Sequence, residues 1–191
     1  MIQDIFKVPL YISKCDVDNT MLLNYVNRYV TNNPKGRKAS NAGGYQSLRL
    51  DYEDGPVKIL LDKIIKEVYN FGVELKIKSP LTLESIWFNI NKQKESNVLH
   101  NHSGIISGVY YLKTHKNCGG IRFYHGYHDQ LVYTWRQAEW KEYDTRTSEH
   151  WDIEPKNNEL ILFPSYLNHS VSANESTEDR ISFSFNFFKI W

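Results

Sequence analysis

The hydrophobic rhythm of the chain changes near residue 80. Before that point, two stretches repeat at helical spacing. Leu22, Leu23, Val26 and Val30 give Thr20–Val30 one apolar side, and Asp16 or Asp18 is placed to cap its start. Val57, Leu60, Leu61, Ile64, Ile65 and Val68 give Gly55–Gly72 a broad apolar face, with Pro56 in the first turn. Ile5–Ser13 alternates weakly and holds Pro9, which predicts an edge strand. Residues 31–44 are polar and glycine-containing and read as a loop, and Tyr45–Leu50 reads as a short strand.

From Leu81 onward the spacing becomes that of strands. Six short runs rich in aromatic and β-branched residues follow one another: "LESIWFNIN", "IISGVYYLKT", "GGIRFYH", "QLVYTW", "NELILFP" and "RISFSFNFF". Polar, Gly or Pro segments separate them. Two helices followed by six strands predict a mostly β fold, an antiparallel double sheet or barrel with helices packed outside. No repeat or interdomain linker interrupts the pattern. Residues 1–191 are therefore expected to form one domain, in which 1–80 supply helical and edge-strand support and 81–191 the main sheet.

Composition narrows the partners only slightly. The 191 residues carry 23 basic and 22 acidic side chains, a formal net charge of +1. That balance neither points to nor excludes nucleic acid. Two cysteines, Cys15 and Cys118, make no disulfide framework. The first residues lack a signal-peptide pattern, and no apolar run approaches the ~18 residues of a membrane span. A cytoplasmic protein without a membrane is the expectation.

The chemistry concentrates in seven histidines. If the backbone is extended, His100 and His102 face the same side, with Cα atoms ~6.6 Å apart. Neutral imidazoles at that distance can share one metal ion. His169, between the apolar run ending at Phe163 and the run from Arg180, is the best third ligand. The plainer reading is a pair of loop histidines bonded to backbone. His115, His125, His128 and His150 lie in surface-like turns. In the last run, Arg180, Ser182, Ser184 and Asn186 share one face, while Ile181, Phe183, Phe185 and Phe187 share the other. A strand built this way lines a polar pocket and backs onto a core. An edge strand with a solvated face is the alternative.

The two segments "HNHSGIISGVYYLKTHKNCGGIRFY" and "ILFPSYLNHSVSANESTEDRISFSFNFF" resemble the 2-oxoglutarate- and iron-dependent oxygenases, most closely a small bacterial and phage branch. "SNAGGYQS" and "WFNIN" add to the likeness. The resemblance implies a double-stranded β-helix, or jelly-roll, core related to cupins. It implies an Fe(II)- and 2-oxoglutarate-dependent dioxygenase that hydroxylates a substrate and releases succinate and CO2, with O2 as cosubstrate and ascorbate as a stimulant in vitro. His100 falls on the first metal ligand and His169 on the last. Arg180, 11 residues after His169, falls on the arginine that binds the cosubstrate, with Ser182 as its hydroxyl partner. Tyr111 matches a tyrosine that reaches the same carboxylate in some members. Asn89 and Asn186 are weaker pocket candidates.

One position departs from the family pattern. His102 stands where a carboxylate usually completes the two-histidine facial triad. The residues alone leave open a three-histidine iron site, a zinc site, and a two-histidine site that His102 does not join. Two wider alternatives also stand: a metal-binding jelly roll that is no oxygenase, and a binding module with a vestigial pocket. A peptidyl side chain or small molecule is the slightly favoured substrate by analogy. Nucleic acid is not excluded, since Lys35, Arg37 and Lys38 make the loop basic, but acidic residues oppose a phosphate track in 124–150. A homodimer is conceivable, though no feature demands one.

Overall fold

The computed structural model describes residues 1–53 and 55–189. In chain order the elements are β1 (Tyr11–Lys14), α1 (Asn19–Asn32), β2 (Asn41–Ala42), β3 (Tyr45–Gln46), α2 (Gly55–Glu74), β4 (Leu81–Asn91), β5 (Ser96–His100), β6 (Ile106–Lys113), β7 (Ile121–Tyr124), α3 (His128–Tyr133), a 3-10 turn (Trp135–Gln137), β8 (His150–Ile153), β9 (Glu159–Pro164), β10 (His169–Val171) and β11 (Arg180–Lys189). The strands form two antiparallel sheets. One has the order β1-β9-β6-β11-β4-β3 and the other β2-β5-β10-β7-β8. This is the mostly β, helix-flanked double sheet that the pattern of the chain predicts, with the jelly-roll core that the resemblance implies.

Both long helices begin and run where their sequences place them. The Asp18 carboxylate accepts the backbone N–H groups of Thr20 and Met21 at 2.9 and 3.3 Å, capping α1. The apolar faces of α1 and α2, including Leu22, Val26, Leu60, Ile64 and Phe71, pack on one side of the larger sheet against Phe88, Phe183, Phe185 and Phe187. Each such aromatic or aliphatic side chain withdrawn from water contributes ~1.5–3 kcal/mol. The other face of the larger sheet is left for the smaller sheet.

The period of two in the strands divides the labour. Along β11, Ile181, Phe183, Phe185 and Phe187 join the helix-side core. Along β6, Tyr110 and Leu112 do the same, while Val109 and Tyr111 turn the other way. There they meet Ile121, Phe123, Ile161, Phe163 and Leu167 between the sheets. The opposite faces of β4 and β11 are polar, and their register sets Arg180 opposite Asn91, Ser182 opposite Asn89 and Ser184 opposite Trp87. Tyr111 lies opposite Ser182 on the other side of β11.

Residues 1–80 contribute α1, α2 and three strands that all lie at sheet edges, β1 and β3 in the larger sheet and β2 in the smaller. The edge position expected around Pro9 is realised just after it, in β1. "QLVYTW" does not form a strand. Its residues up to Tyr133 fall in α3 and Trp135 opens the 3-10 turn, while "HWDI" forms β8 against β7. Arg122 explains part of that exchange: its guanidinium donates two 2.7 Å bonds to Asp152, clamping β7 to β8. The pairing edge of β7 is thereby taken by β8.

Candidate metal centre

Three short elements bring the histidines together. His169 opens β10 and pairs with His100, the last residue of β5, and with Phe123 of β7. His102 lies two residues past β5, where its backbone N–H donates to the Ser165 carbonyl at 2.9 Å. β5 thus ends at His100, and His102 follows it outside any strand. The rings converge all the same, with centroids 4.3 to 5.1 Å apart. One donor nitrogen from each lies within 4.8 Å of the others, and this is the one such cluster among the described residues. His115, His125, His128 and His150 form none.

The rings are held in the form that binds metal. Nδ1 of His100 lies 2.7 Å from the Val98 carbonyl, and Nδ1 of His169 lies 2.9 Å from the Leu167 carbonyl. A carbonyl can only accept, so each Nδ1 carries the proton and each Nε2 keeps its lone pair. Burial and the neighbouring His100 push His102 down to about 4, and push the more deeply buried His169 down to about 3. Burial lowers His100 as well. All three are neutral ligands near pH 7.

A cleft between the sheets runs from these histidines to Arg180. Its walls include Trp87, Asn89, Asn91, Tyr111, Ser182 and Ser184, with Val109, Ile121, Phe163 and Val171 as apolar lining. The cleft is narrow, with a cavity volume of about 40 Å³ between its closely set walls. Arg180 is 1% exposed. Its Nη1 donates to the carbonyls of Cys118, Gly119 and Ser172 at 2.6, 2.7 and 3.2 Å, whereas its buried Nη2 has no hydrogen-bond partner. Asn89 donates to the Ser184 hydroxyl at 3.2 Å, and its buried Oδ1 is likewise unpartnered. Tyr111 is fully buried; desolvation pushes its phenol upward, and the charge of Arg180 opposes that shift.

Four of the five pocket candidates, Arg180, Ser182, Tyr111 and Asn89, therefore line the same cleft as the histidines. Asn186 does not. It sits six residues along β11 from Arg180, ~20 Å at strand rise, and accepts a 2.8 Å bond from Ser107, whose hydroxyl also meets Ser165. Asn186 lines an adjoining groove with Arg37, Gln46, Ser85, Trp87 and Asn101, and His100 and His102 stand on the ridge between groove and cleft. Asn91, Asn97 and Trp87 escaped the sequence reading, whereas Ser184 lies in the cleft as the pocket-lining face of the last run predicts. The alternation of "WFNIN" puts Trp87 and Asn91 on the same face of β4 as Asn89, and that face is the one lining the cleft.

The residues present fit a divalent ion and a small dicarboxylate. Three neutral imidazoles converge at one end, and at the other a buried guanidinium has an unused donor and no carboxylate to meet it. A charge-assisted bond to an incoming carboxylate would satisfy Nη2.

Comparison with known proteins agrees with that fit. No curated protein matches the chain. Among solved structures, a prolyl-4-hydroxylase from Pseudomonas putida superposes with a TM-score of 0.66 at 13% identity, covering 96% of this chain and 94% of that one. HygX from Streptomyces hygroscopicus, solved with nickel and 2-oxoglutarate bound, gives 0.61 at 10% identity over 96% and 84%. A prolyl hydroxylase from Trichoplax adhaerens, in complex with a hypoxia inducible factor oxygen degradation domain peptide, gives 0.62 at 12% identity over 94% and 83%. At these identities the likeness is one of fold. The family model described as "Putative 2OG-Fe(II) oxygenase" matches residues 85–186, just over half of the chain, from β4 to β11 with the histidines and Arg180 inside it. With that match the chain belongs to the 2OG-Fe(II) oxygenase family, whose metal is Fe(II) and whose cosubstrate is 2-oxoglutarate.

Proposed function

We propose that the protein is a 2-oxoglutarate-dependent hydroxylase acting on a peptidyl side chain, with His100, His102 and His169 holding Fe(II) and Arg180 holding the far carboxylate of the cosubstrate. The observation that carries this reading is the shared cleft: a metal-competent histidine cluster at one end, and at the other a buried arginine with no acid partner. When bound, the ferrous ion, with O2 and 2-oxoglutarate, supplies the oxidising equivalent for hydroxylation, and succinate and CO2 leave as co-products.

The chain's own residues do the positioning. Arg180, seated on three carbonyls, offers its Nη2 to a carboxylate in a fixed direction. Ser182 and Tyr111, cross-strand neighbours beside it, offer hydroxyls to the same group. Val109, Ile121, Phe163 and Val171 keep water from the space between. No side chain is required as a general base. The groove beyond His100 and His102 is the substrate side. Its carboxamides and hydroxyls, Gln46, Ser47, Ser85, Asn101, Ser103 and Asn186, can both give and accept hydrogen bonds, as a peptide backbone demands. The fold shared with prolyl hydroxylases, one of them holding a peptide, supports the same preference.

The test is succinate release with Fe(II), ascorbate and 2-oxoglutarate across a peptide panel, together with calorimetric 2-oxoglutarate binding to metal-loaded protein. Turnover with a peptide supports the reading. Failure to bind 2-oxoglutarate, with no turnover on any substrate, overturns it. A second reading, a metal-binding jelly roll without oxygenase activity, draws on the absence of a carboxylate ligand, since three imidazoles also suit zinc. Zinc retained through anaerobic purification, with no affinity for 2-oxoglutarate, would favour it.

A further inference from the structure

The charges lining the cleft do not balance. Among the described residues around it, none is Asp or Glu, and Arg180 is the lone permanently charged group. The histidines add no compensation, because an imidazole carries no negative charge; their Nδ1 bonds to backbone carbonyls leave Nε2 of His100 and His169 as the metal-facing atoms. Arg180 has no acid partner, only carbonyl oxygens. Nearby carboxylates do not alter this. Glu154 and Glu159 act on Tyr111 from outside the cleft, and Glu84, in the adjoining groove, meets Arg49 at 3.4 Å. A divalent ion on the triad would bring the buried total to +3. A carboxylate at position 102 would lower that, and a dianionic ligand lowers it by two. In a site screened from water, uncompensated charges of one sign oppose one another strongly.

We infer that His102 makes metal retention conditional on the cosubstrate: the protein holds its divalent ion weakly alone and tightly only together with a dicarboxylate, whose charge replaces that of the missing ligand. This rests on the proposed function and adds a property to it. The protein would sit metal-poor when 2-oxoglutarate is scarce and load as 2-oxoglutarate rises, so the site itself reads the concentration of its cosubstrate. Chelation gives some coupling in any such site. What is specific to this chain is that the coupling is enlarged by the imidazole at position 102 and contracts when a negative charge is restored there.

The readout is binding. Metal-free protein is titrated with Mn(II) by calorimetry, with and without saturating 2-oxoglutarate, for wild type, His102→Asp and His102→Asn. For wild type, 2-oxoglutarate should tighten Mn(II) by about 50-fold, and Mn(II) should tighten 2-oxoglutarate by the same factor, toward the upper part of the usual ~5–150-fold range of coupling. His102→Asp should bind Mn(II) alone about tenfold more tightly than wild type and show coupling reduced by about tenfold, one charge having been added. His102→Asn, which changes the ligand but not the charge, should weaken Mn(II) and keep the coupling. Arg180→Met reads the same imbalance from the other end and covers the case in which the 102 variants misfold, as judged by circular dichroism: Mn(II) alone should bind several-fold more tightly.

Wild-type coupling under about twofold, in protein that does bind 2-oxoglutarate, overturns the inference and leaves the proposed function standing. So does equal coupling in His102→Asp and His102→Asn, or an unchanged Mn(II) affinity in Arg180→Met. Absence of 2-oxoglutarate binding in metal-loaded wild type overturns both.

Discussion

Arg180 shows how much one side chain can declare. A guanidinium that is 1% exposed normally meets a carboxylate, because a buried charge left unpaired is expensive. Here the chain supplies three carbonyls to one nitrogen and nothing to the other. The backbone carbonyls stabilise the cation without neutralising it, which leaves its charge available to a ligand. Arg180→Ala should therefore weaken 2-oxoglutarate binding by at least about 100-fold, the equivalent of one or two charged hydrogen bonds at ~1.5–3 kcal/mol each. Calorimetry on Mn(II)-loaded protein measures this, and an affinity within a few-fold of wild type would remove Arg180 from the cosubstrate site. Gly119 is the second informative residue. Its φ is +77°, and a Cβ there would sit 2.4 Å from the Ser172 carbonyl, 2.6 Å from that of Ala173 and 2.9 Å from Arg180 Nη1. These are the walls of the arginine's seat, and two of the three are backbone. Gly119→Ala should cost ~1–3 kcal/mol in urea denaturation through strain at a left-handed position and should weaken 2-oxoglutarate binding as well.

At the scale of elements, the helices and the long strands are separable from the site. Leu60 and Ile64 of α2 pack on the larger sheet from the side opposite the cleft. Leu60→Ala should cost ~2–5 kcal/mol of stability yet leave Mn(II) affinity unchanged in the folded fraction; a matching loss of metal affinity would mean that the helix layer positions the histidines. The same separation decides what the chain discloses before it is folded. α2 and β11 are legible because Leu60–Ile64 and Arg180–Phe187 repeat without interruption at 3.6 and 2 residues. β10 has three residues and β5 five, too few for any period to emerge, and yet these carry His169 and His100. "QLVYTW" misleads for the opposite reason: Leu131, Val132 and Tyr133 favour a strand locally, but Asp152 of "HWDI" secures the neighbouring edge through Arg122. Strand propensity describes a pleated surface waiting for a neighbour, and competition for neighbours is settled by the whole sheet. The placement of Asn186 follows from the same limit. Alternation puts it on the face of Arg180, but alternation does not say that ~20 Å of strand lies between them.

For the whole molecule, the cluster couples folding to pH. In the unfolded chain the three histidines titrate near their ordinary 6.5; in the fold His169 is pushed down to about 3 and His102 to about 4, each chiefly by burial, and His100 is lowered too. As pH falls below 6.5 the unfolded chain takes up protons that the native cluster refuses. The unfolded state then binds more protons than the native state, so stability rises with pH across this window. The contribution is fully present above about pH 6.5 and is lost progressively as pH falls toward 4 and then 3. Metal-free protein should accordingly show urea midpoints that are level from pH 8 to 7 and fall steeply from pH 6.5 to 4. Replacing His102 and His169 together by Asn should flatten that fall, since Asn does not titrate. A bound divalent ion competes with protons for the same nitrogens, so Mn(II) with 2-oxoglutarate should raise the midpoint at pH 7 and displace the acid limb to lower pH. An acid limb in the metal-free double variant as steep as that of wild type would assign the pH dependence to carboxylates elsewhere in the fold. A flattened one would show that the three inner histidines, which no carboxylate accompanies, are where this fold meets its acid limit.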